Sequence, residues 1–207
     1  MKNGKAVISV LVSGGGTNLQ AIIDFAGEGK LESGSLVKVI SNKADAYALT
    51  RATDAEIDTA VVIKKGRTQE EFESDLIKEL DACGAEVIVL AGFMCILSKN
   101  FTDRYKDRII NVHPSLIPSF CGEGFYGLKV HEAALSYGVK VTGATVHFVN
   151  EIPDGGKIIM QRAVKIKEND TPESLQKRVM QEAEWKILPA SLELICKNIL
   201  TGDSYER

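Results

Sequence analysis

The run Lys5-Ala-Val-Ile-Ser-Val-Leu-Val-Ser13 passes directly into Gly14-Gly15-Gly16-Thr17-Asn18, after which Leu19, Ile22, Ile23 and Ala26 recur at helical spacing until Gly27 and Gly29 end the pattern. A nearly continuous apolar run suits a parallel strand covered on both faces. The glycines make the turn, and the apolar spacing that follows makes an amphipathic helix. Strand, glycine turn, helix is the opening unit of an α/β fold.

The rest of the chain repeats this alternation. Strands are expected at Leu36–Ile40, Thr59–Ile63, Glu86–Leu90 and Asn111–His113, separated by helices near Ala46–Ala55, Thr68–Ala82 and Lys99–Tyr105. Strands alternating with helices imply a parallel sheet, here Rossmann-like and twisted with helices on both faces. After a loop at Ser119–Gly127 and a helix over Leu128–Tyr137, two β-rich runs, Val141–Val149 and Lys157–Ile166, predict an antiparallel edge in the C-terminal half. Thr171-Pro172 predicts the cap and first position of a long closing helix, with a kink at Pro189. No repeat, linker or low-complexity segment divides the chain. One unit over residues 1–207 is expected, with a phosphate-binding half to about residue 105 and a catalytic half from about residue 106.

The second informative stretch is Ile109-Ile110-Asn111-Val112-His113-Pro114-Ser115-Leu116-Ile117-Pro118. Pro114 cannot donate to a ladder and biases His113 toward extended backbone at the strand tip. Asn111, two residues earlier, shares its face. An amide beside a titratable imidazole suits an oxyanionic transition state. A strand-end histidine satisfying a carbonyl beside a turn-forming Asn has the same local pattern, and this segment alone leaves both readings open.

Composition narrows the partners. Lys and Arg total 25 against 28 Asp and Glu, a formal charge of −3, with no basic block that could track a nucleic-acid backbone. The apolar start Ala6–Val12 is too short for a membrane span and lacks a cleavage pattern. Cys83, Cys95, Cys121 and Cys196 are scattered, which fits reduced thiols and a cytoplasmic location.

Gly14-Gly15-Gly16 at a helix start would present free N–H groups to a phosphate, with Thr17 and Asn18 adding donors. It is neither the dinucleotide fingerprint, since Leu19 occupies the third small position, nor a Walker loop, so a single terminal phosphate on a small substrate is preferred. A turn needing glycine for packing alone remains the other reading. Of three histidines, His131 falls mid-helix beside Glu132, where a solvated face is expected and no role is assigned. His147, in Thr145-Val-His-Phe-Val149, reads as a core imidazole or a secondary site residue. No spacing suggests a metal. Asp154, in Pro153-Asp-Gly-Gly156, is on its own a turn former.

Six motifs occur in order: Ser13-Gly-Gly-Gly-Thr-Asn-Leu-Gln20, Ser41-Asn-Lys-Ala-Asp45, Leu90-Ala-Gly-Phe-Met94, Asn111-Val-His-Pro-Ser-Leu-Ile-Pro118, Thr145-Val-His-Phe-Val149 and Asp154-Gly-Gly156. Together, over nearly the whole chain, they closely resemble the phosphoribosylglycinamide formyltransferases of purine biosynthesis. The resemblance implies formyl transfer from 10-formyltetrahydrofolate to the glycinamide amine of a phosphoribosyl substrate, without a metal. It places the substrate phosphate on Gly16, Thr17 and Asn18, and the glycinamide substrate near Glu184. Folate is placed against Met94, Cys95, Ile96 and Leu97, and against Asn111, Asn150, Glu151, Ile152, Pro153 and Asp154. Asn111, His113 and Asp154 match the catalytic trio. Asp154 is expected to raise the His113 pKa so that the imidazolium can act as a general acid near neutrality. Small-molecule partners and a monomer or homodimer are expected.

This chain departs from the family pattern at Cys95 and Gln69, where arginine is common, and at Trp185, where histidine is frequent; the Ser119–Gly127 segment is also longer than in shorter relatives. Competing members differ in architecture. A formyltetrahydrofolate deformylase would carry an extra N-terminal regulatory domain, whereas strand one begins at Lys5. A methionyl-tRNA formyltransferase would need a C-terminal nucleic-acid-binding domain. A non-catalytic folate or phosphosugar binder would not need His113 and Asp154.

Overall fold

The computed structural model of the chain describes residues 4–203, so the two ends of the expected 1–207 unit lie outside the described residues. Seven strands form one sheet in the order β3-β2-β1-β4-β5-β6-β7. They are β1 (Ala6–Val12), β2 (Gly34–Ser41), β3 (Asp58–Val61), β4 (Val87–Leu90), β5 (Ile109–His113), β6 (Val141–Phe148) and β7 (Ile158–Lys165). The pairs β1/β2, β1/β4, β2/β3 and β4/β5 are parallel, and β5/β6 and β6/β7 are antiparallel. The mostly parallel sheet with its antiparallel edge is the fold expected from the sequence.

Every residue of β1 is buried, which explains its unbroken apolar sequence: both faces of the sheet are covered. Alternate β1 residues serve opposite layers. Ala6, Ile8, Val10 and Val12 pack with α1 (Thr17–Gly27), α2 (Tyr47–Asp54) and the C-terminal helices. Leu11 packs on the other side with Phe72, Leu76 and Leu80 of α3 (Gln69–Cys83) and Phe101 of α4 (Lys99–Arg104).

The closing helix departs from expectation. α6 (Pro172–Val179) and α7 (Trp185–Thr201) follow α5 (Leu128–Tyr137) but are joined by a π-helical turn, Met180–Glu184. The irregularity therefore falls just before Trp185, with Pro189 inside α7. Proline at 189 has no N–H for the carbonyl of Trp185, so regular bonding is already relieved one turn upstream, next to the widened segment.

The order of strands reverses between β1 and β4, which lie side by side although β2 and β3 intervene in sequence. In an open α/β sheet the crevice outside the carboxyl ends of strands at such a point is where ligands bind. The glycine turn after β1, the segment after β4 and the tip of β5 all open there. Truncating Phe72 to alanine in the α3 layer is expected to cost about 3–5 kcal/mol, read as a lower urea midpoint at unchanged slope. A loss under about 0.5 kcal/mol, typical of a surface site, would show that this layer is not part of the cooperative core.

Candidate active site

The β5/β6 register sets Asn111 opposite His147 and His113 opposite Thr145. The Asn111 amide nitrogen lies 3.2 Å from His147 Nε2, while His147 Nδ1 lies 2.7 Å from the carbonyl of Phe148. A carbonyl at Nδ1 requires a proton there, so neutral His147 accepts from Asn111 at Nε2. Asp154 approaches from the loop after β6. Its Oδ2 is 3.3 Å from His113 Nδ1 and its Oδ1 is 3.5 Å from His147 Nε2. The Gly122 N–H donates to Oδ2 over 2.9 Å. Thus one carboxylate faces two imidazoles, and the expected trio of Asn111, His113 and Asp154 is brought together with His147 added.

The loop that delivers Asp154 is built by its glycines. Asp154 itself has φ 56°, an αL conformation that Asp tolerates better than most residues. The Gly155 N–H bonds the Ile152 carbonyl at 2.9 Å, and a Cβ on Gly156 would stand 1.7 Å from the Phe148 carbonyl oxygen. Only glycine lets the chain close this tightly.

Burial is the largest influence on His113 and moves its pKa below the ordinary histidine value. Asp154 and the Phe120 carbonyl, 2.9 Å from Nε2, pull the other way without prevailing, and His147 adds to the lowering. This corrects the expectation that the carboxylate raises the His113 pKa: desolvation of the imidazolium outweighs the neighbouring charge. For Asp154, burial alone would raise the carboxyl, but the His147 contact, the Gly122 N–H and the two imidazoles bring it down overall. The carboxylate form is the one the site holds.

At the glycine turn, Gly16 caps α1 with φ 71°, and no side chain caps the first turn. The early N–H groups of the helix are left for an anion. A Cβ on Gly16 would lie 2.6 Å from the Ala48 Cβ, so glycine is also needed for close packing on α2. Of the two readings of the glycine turn, the structure shows the tight packing at Gly16. Arg51 of α2, which the sequence did not single out, donates from Nε to the Gly15 carbonyl over 2.8 Å and from Nη1 to Gln20 over 2.9 Å. Asn18 donates to Glu184 Oε2 at 2.7 Å, joining the glycine turn to the π-helical turn. Burial lifts the Glu184 carboxyl to about 7, with the Asn18 bond working against it. A cavity of about 460 Å³ opens beside Thr17, Arg51 and Trp185 on this side.

The segment after β4 presents apolar side chains to solvent: Met94 is 54% exposed and Ile96 66%, and Ile152 across the crevice is 59% exposed. Exposed apolar side chains flanking a polar cluster fit a flat heterocycle such as a pterin. Cys95 Sγ is 2.9 Å from the Asn42 amide, and Ser13 Oγ accepts from the Met94 N–H at 2.7 Å, so the segment is tied to the ends of β1 and β2. Among the described residues no group of three or more His, Cys, Asp or Glu is placed to hold a metal ion.

The profile of the formyl transferase family matches residues 6–192. The chain belongs to this family. A phosphoribosylglycinamide formyltransferase from Haemophilus influenzae is 43% identical over 183 residues, 88% of this chain and 83% of that protein. The human trifunctional purine biosynthetic protein adenosine-3 is 45% identical over 192 residues, 92% of this chain, but the chain spans only 18% of that relative's length. Among solved structures, glycinamide ribonucleotide transformylase 1 from Symbiobacterium toebii superposes with a TM-score of 0.88 at 39% identity, covering 95% of this chain and 90% of that one.

Within this formyl transferase chain His131 overturns its expectation. It is fully buried in α5 rather than on a solvated face, and neither ring nitrogen has a hydrogen-bond partner. The neighbouring Val130 and Ala134 mark the buried stripe; a single histidine beside Glu132 gave no sign that the stripe includes it. Burial, with a smaller contribution from His113, lowers its pKa from 6.5 to about 4. The unfolded chain therefore binds more protons between those values, and stability falls as pH drops through that window. Replacing His131 by leucine is expected to remove about 2 kcal/mol of the stability difference between about pH 7.5 and about pH 5, measured by urea unfolding. Equal pH slopes in both proteins would overturn the assignment.

Proposed function

We propose that the chain transfers the formyl group of 10-formyltetrahydrofolate to the amine of 5-phosphoribosylglycinamide, in de novo purine (IMP) biosynthesis. The observation that carries this reading is the Asp154 carboxylate held between His113 and His147 at the tip of β5, with Asn111 alongside. That cluster shares the crevice at the carboxyl ends of the strands with an uncapped helix start suited to a phosphate and an apolar wall suited to a pterin. The names of the relatives support the same reaction. Cytoplasmic small-molecule chemistry without nucleic acid, membrane or metal fits the composition, and no described helix is long and apolar enough to cross a membrane.

Bound, the folate donor supplies the formyl carbon. Gly16, Thr17 and Asn18 hold the acceptor's phosphate, and Glu184, wired to Asn18, meets its glycinamide end. Met94, Cys95, Ile96 and Leu97 form one wall of the donor site, and Asn150, Glu151, Ile152 and Pro153 the other. As the acceptor amine adds to the formyl carbon, negative charge grows on the formyl oxygen. The Asn111 amide has two hydrogens and only one is taken by His147, so the other can meet that charge. His113 rests neutral because it is buried, and takes up a proton as charge develops, with Asp154 stabilising the imidazolium. The proton released by the attacking nitrogen reaches the departing folate nitrogen through this pair. His147 acts from behind, holding Asn111 in place through Nε2 while the Phe148 carbonyl fixes its own ring. Hydrolysis with water as acceptor would leave the phosphate cradle and Glu184 without a task.

In an absorbance assay of 10-formyltetrahydrofolate conversion, turnover is expected to require the phosphoribosylglycinamide acceptor and to fall on the order of a hundredfold or more in His113→Ala. Acceptor-independent turnover would instead indicate a hydrolase. Asp154→Asn is expected to lose kcat far more than affinity for either substrate; equal losses in both would reduce Asp154 to a ligand-positioning role.

A further inference from the structure

The Met94–Leu97 segment is a surface turn, yet it is fastened from below by a buried carboxylate. Glu73 of α3 is 6% exposed. Its Oε1 accepts from Ser98 N and from Gln69 Nε2, each at 2.6 Å, and its Oε2 accepts from Ser98 Oγ at 2.5 Å. Gln69 Nε2 also donates to the Ile96 carbonyl at 3.0 Å. A buried carboxylate is costly unless its lone pairs are satisfied, and here they are met by the residue that ends the turn and by the side chain that grips its middle.

The anchor itself is rigid. Gln69 is the first residue of α3, whose start is fixed by a capping box between Thr68 and Glu71. One turn on, Phe72 stacks on Phe93 at a centroid distance of 6.4 Å, just before the segment begins. Ser98 Oγ additionally caps α4 through the Phe101 N–H at 3.2 Å, which is a sufficient structural reason for Glu73 to hold Ser98. It is not a reason for Gln69 to hold Ile96. That bond takes no part in capping α4 and fixes only the turn.

We propose that Gln69 and Glu73 are positioning residues for the formyl donor: through Ile96 and Ser98 they hold the Met94–Leu97 turn in its donor-receiving shape before the donor binds. This rests on the reading of that turn as a wall of the folate site. A turn ordered in advance spares the binding step that ordering cost, so the gain appears in donor affinity and not in the chemical step. Glutamine at position 69 thus acts on the donor indirectly, through the backbone it grips, and contributes no charge of its own.

The test uses Gln69→Ala, which keeps a good helix former at an exposed helix start and leaves the Ser98 cap intact. Hydrogen exchange at the Met94 and Ser98 amides, both bonded in the unaltered protein, is expected to speed up by about tenfold while β4 amides are unchanged. The donor KM is expected to rise by about tenfold, with kcat and the acceptor KM within about twofold. Gln69→Glu, which places a like charge against Glu73 and cannot donate to Ile96, is expected to raise the donor KM at least as much. Unchanged exchange would overturn the proposal, as would faster exchange with an unaltered donor KM. A rise in acceptor KM alone would overturn the donor assignment of the turn. Absence of formyl consumption by the unaltered protein would remove the reading on which the proposal rests, while exchange still reports whether Gln69 holds the turn.

Discussion

The site depends on one carboxylate kept charged in a half-buried place. Asp154 can remain ionised there because Gly122 N–H and two imidazoles face it, and each of those arrives from a different segment. His113 comes from the tip of β5, His147 from β6 through a fixed antiparallel register, and Asp154 from a loop that only glycine at 156 allows to close. A slip of one residue between β5 and β6 would send His147 to the opposite face and leave the carboxylate facing one imidazole. The antiparallel edge is therefore more than a decoration on a parallel sheet. It is the device that places two histidines on one acid.

The two sides of the crevice are built by different means. The glycine-turn side is local: Gly14 to Asn18 lead into α1 and are clamped by Ala48 and Arg51 of the next helix. Its chemistry comes from backbone N–H groups and needs little beyond a tight turn at a helix start. The side around His113 is assembled from distant segments, and its chemistry comes from side chains whose protonation is set by burial at His113 and, against burial, by hydrogen bonds and neighbouring imidazoles at Asp154. The apolar wall at Met94–Leu97 stands between them, fastened to β1, β2 and α3.

What could be read in advance follows the range of the interactions involved. β1, the glycine turn and α1 were plain in the sequence because apolar period and turn chemistry are local properties. Asn111 and His113 could be paired because strand alternation puts them on one face. Asp154 resembled a turn former until the fold set it against two histidines, and His147 could have been core or site. Arg51 gave no signal, since it acts on a carbonyl belonging to another segment, and Gln69 stood out only as a departure from the family pattern, with nothing to show that it grips Ile96. His131 was misread because a charged neighbour suggested solvent, whereas packing of α5 placed it inside. The direction of the His113 pKa also needed the fold: the carboxylate was visible in the sequence, but the depth of burial that outweighs it was not. The π-helical turn likewise has no simple compositional mark.

The bond from Asn18 to Glu184 joins residues 166 apart, and the Ser33 N–H meets Glu193 across 160 residues. The last helix lies over the first strands and the opening glycine turn. During synthesis, then, β1 and β2 carry one face uncovered until α7 has emerged from the ribosome. The glycine-turn side of the crevice is complete only once Glu184 has been made to meet Asn18. The opening strand of the sheet waits for the helix that covers it.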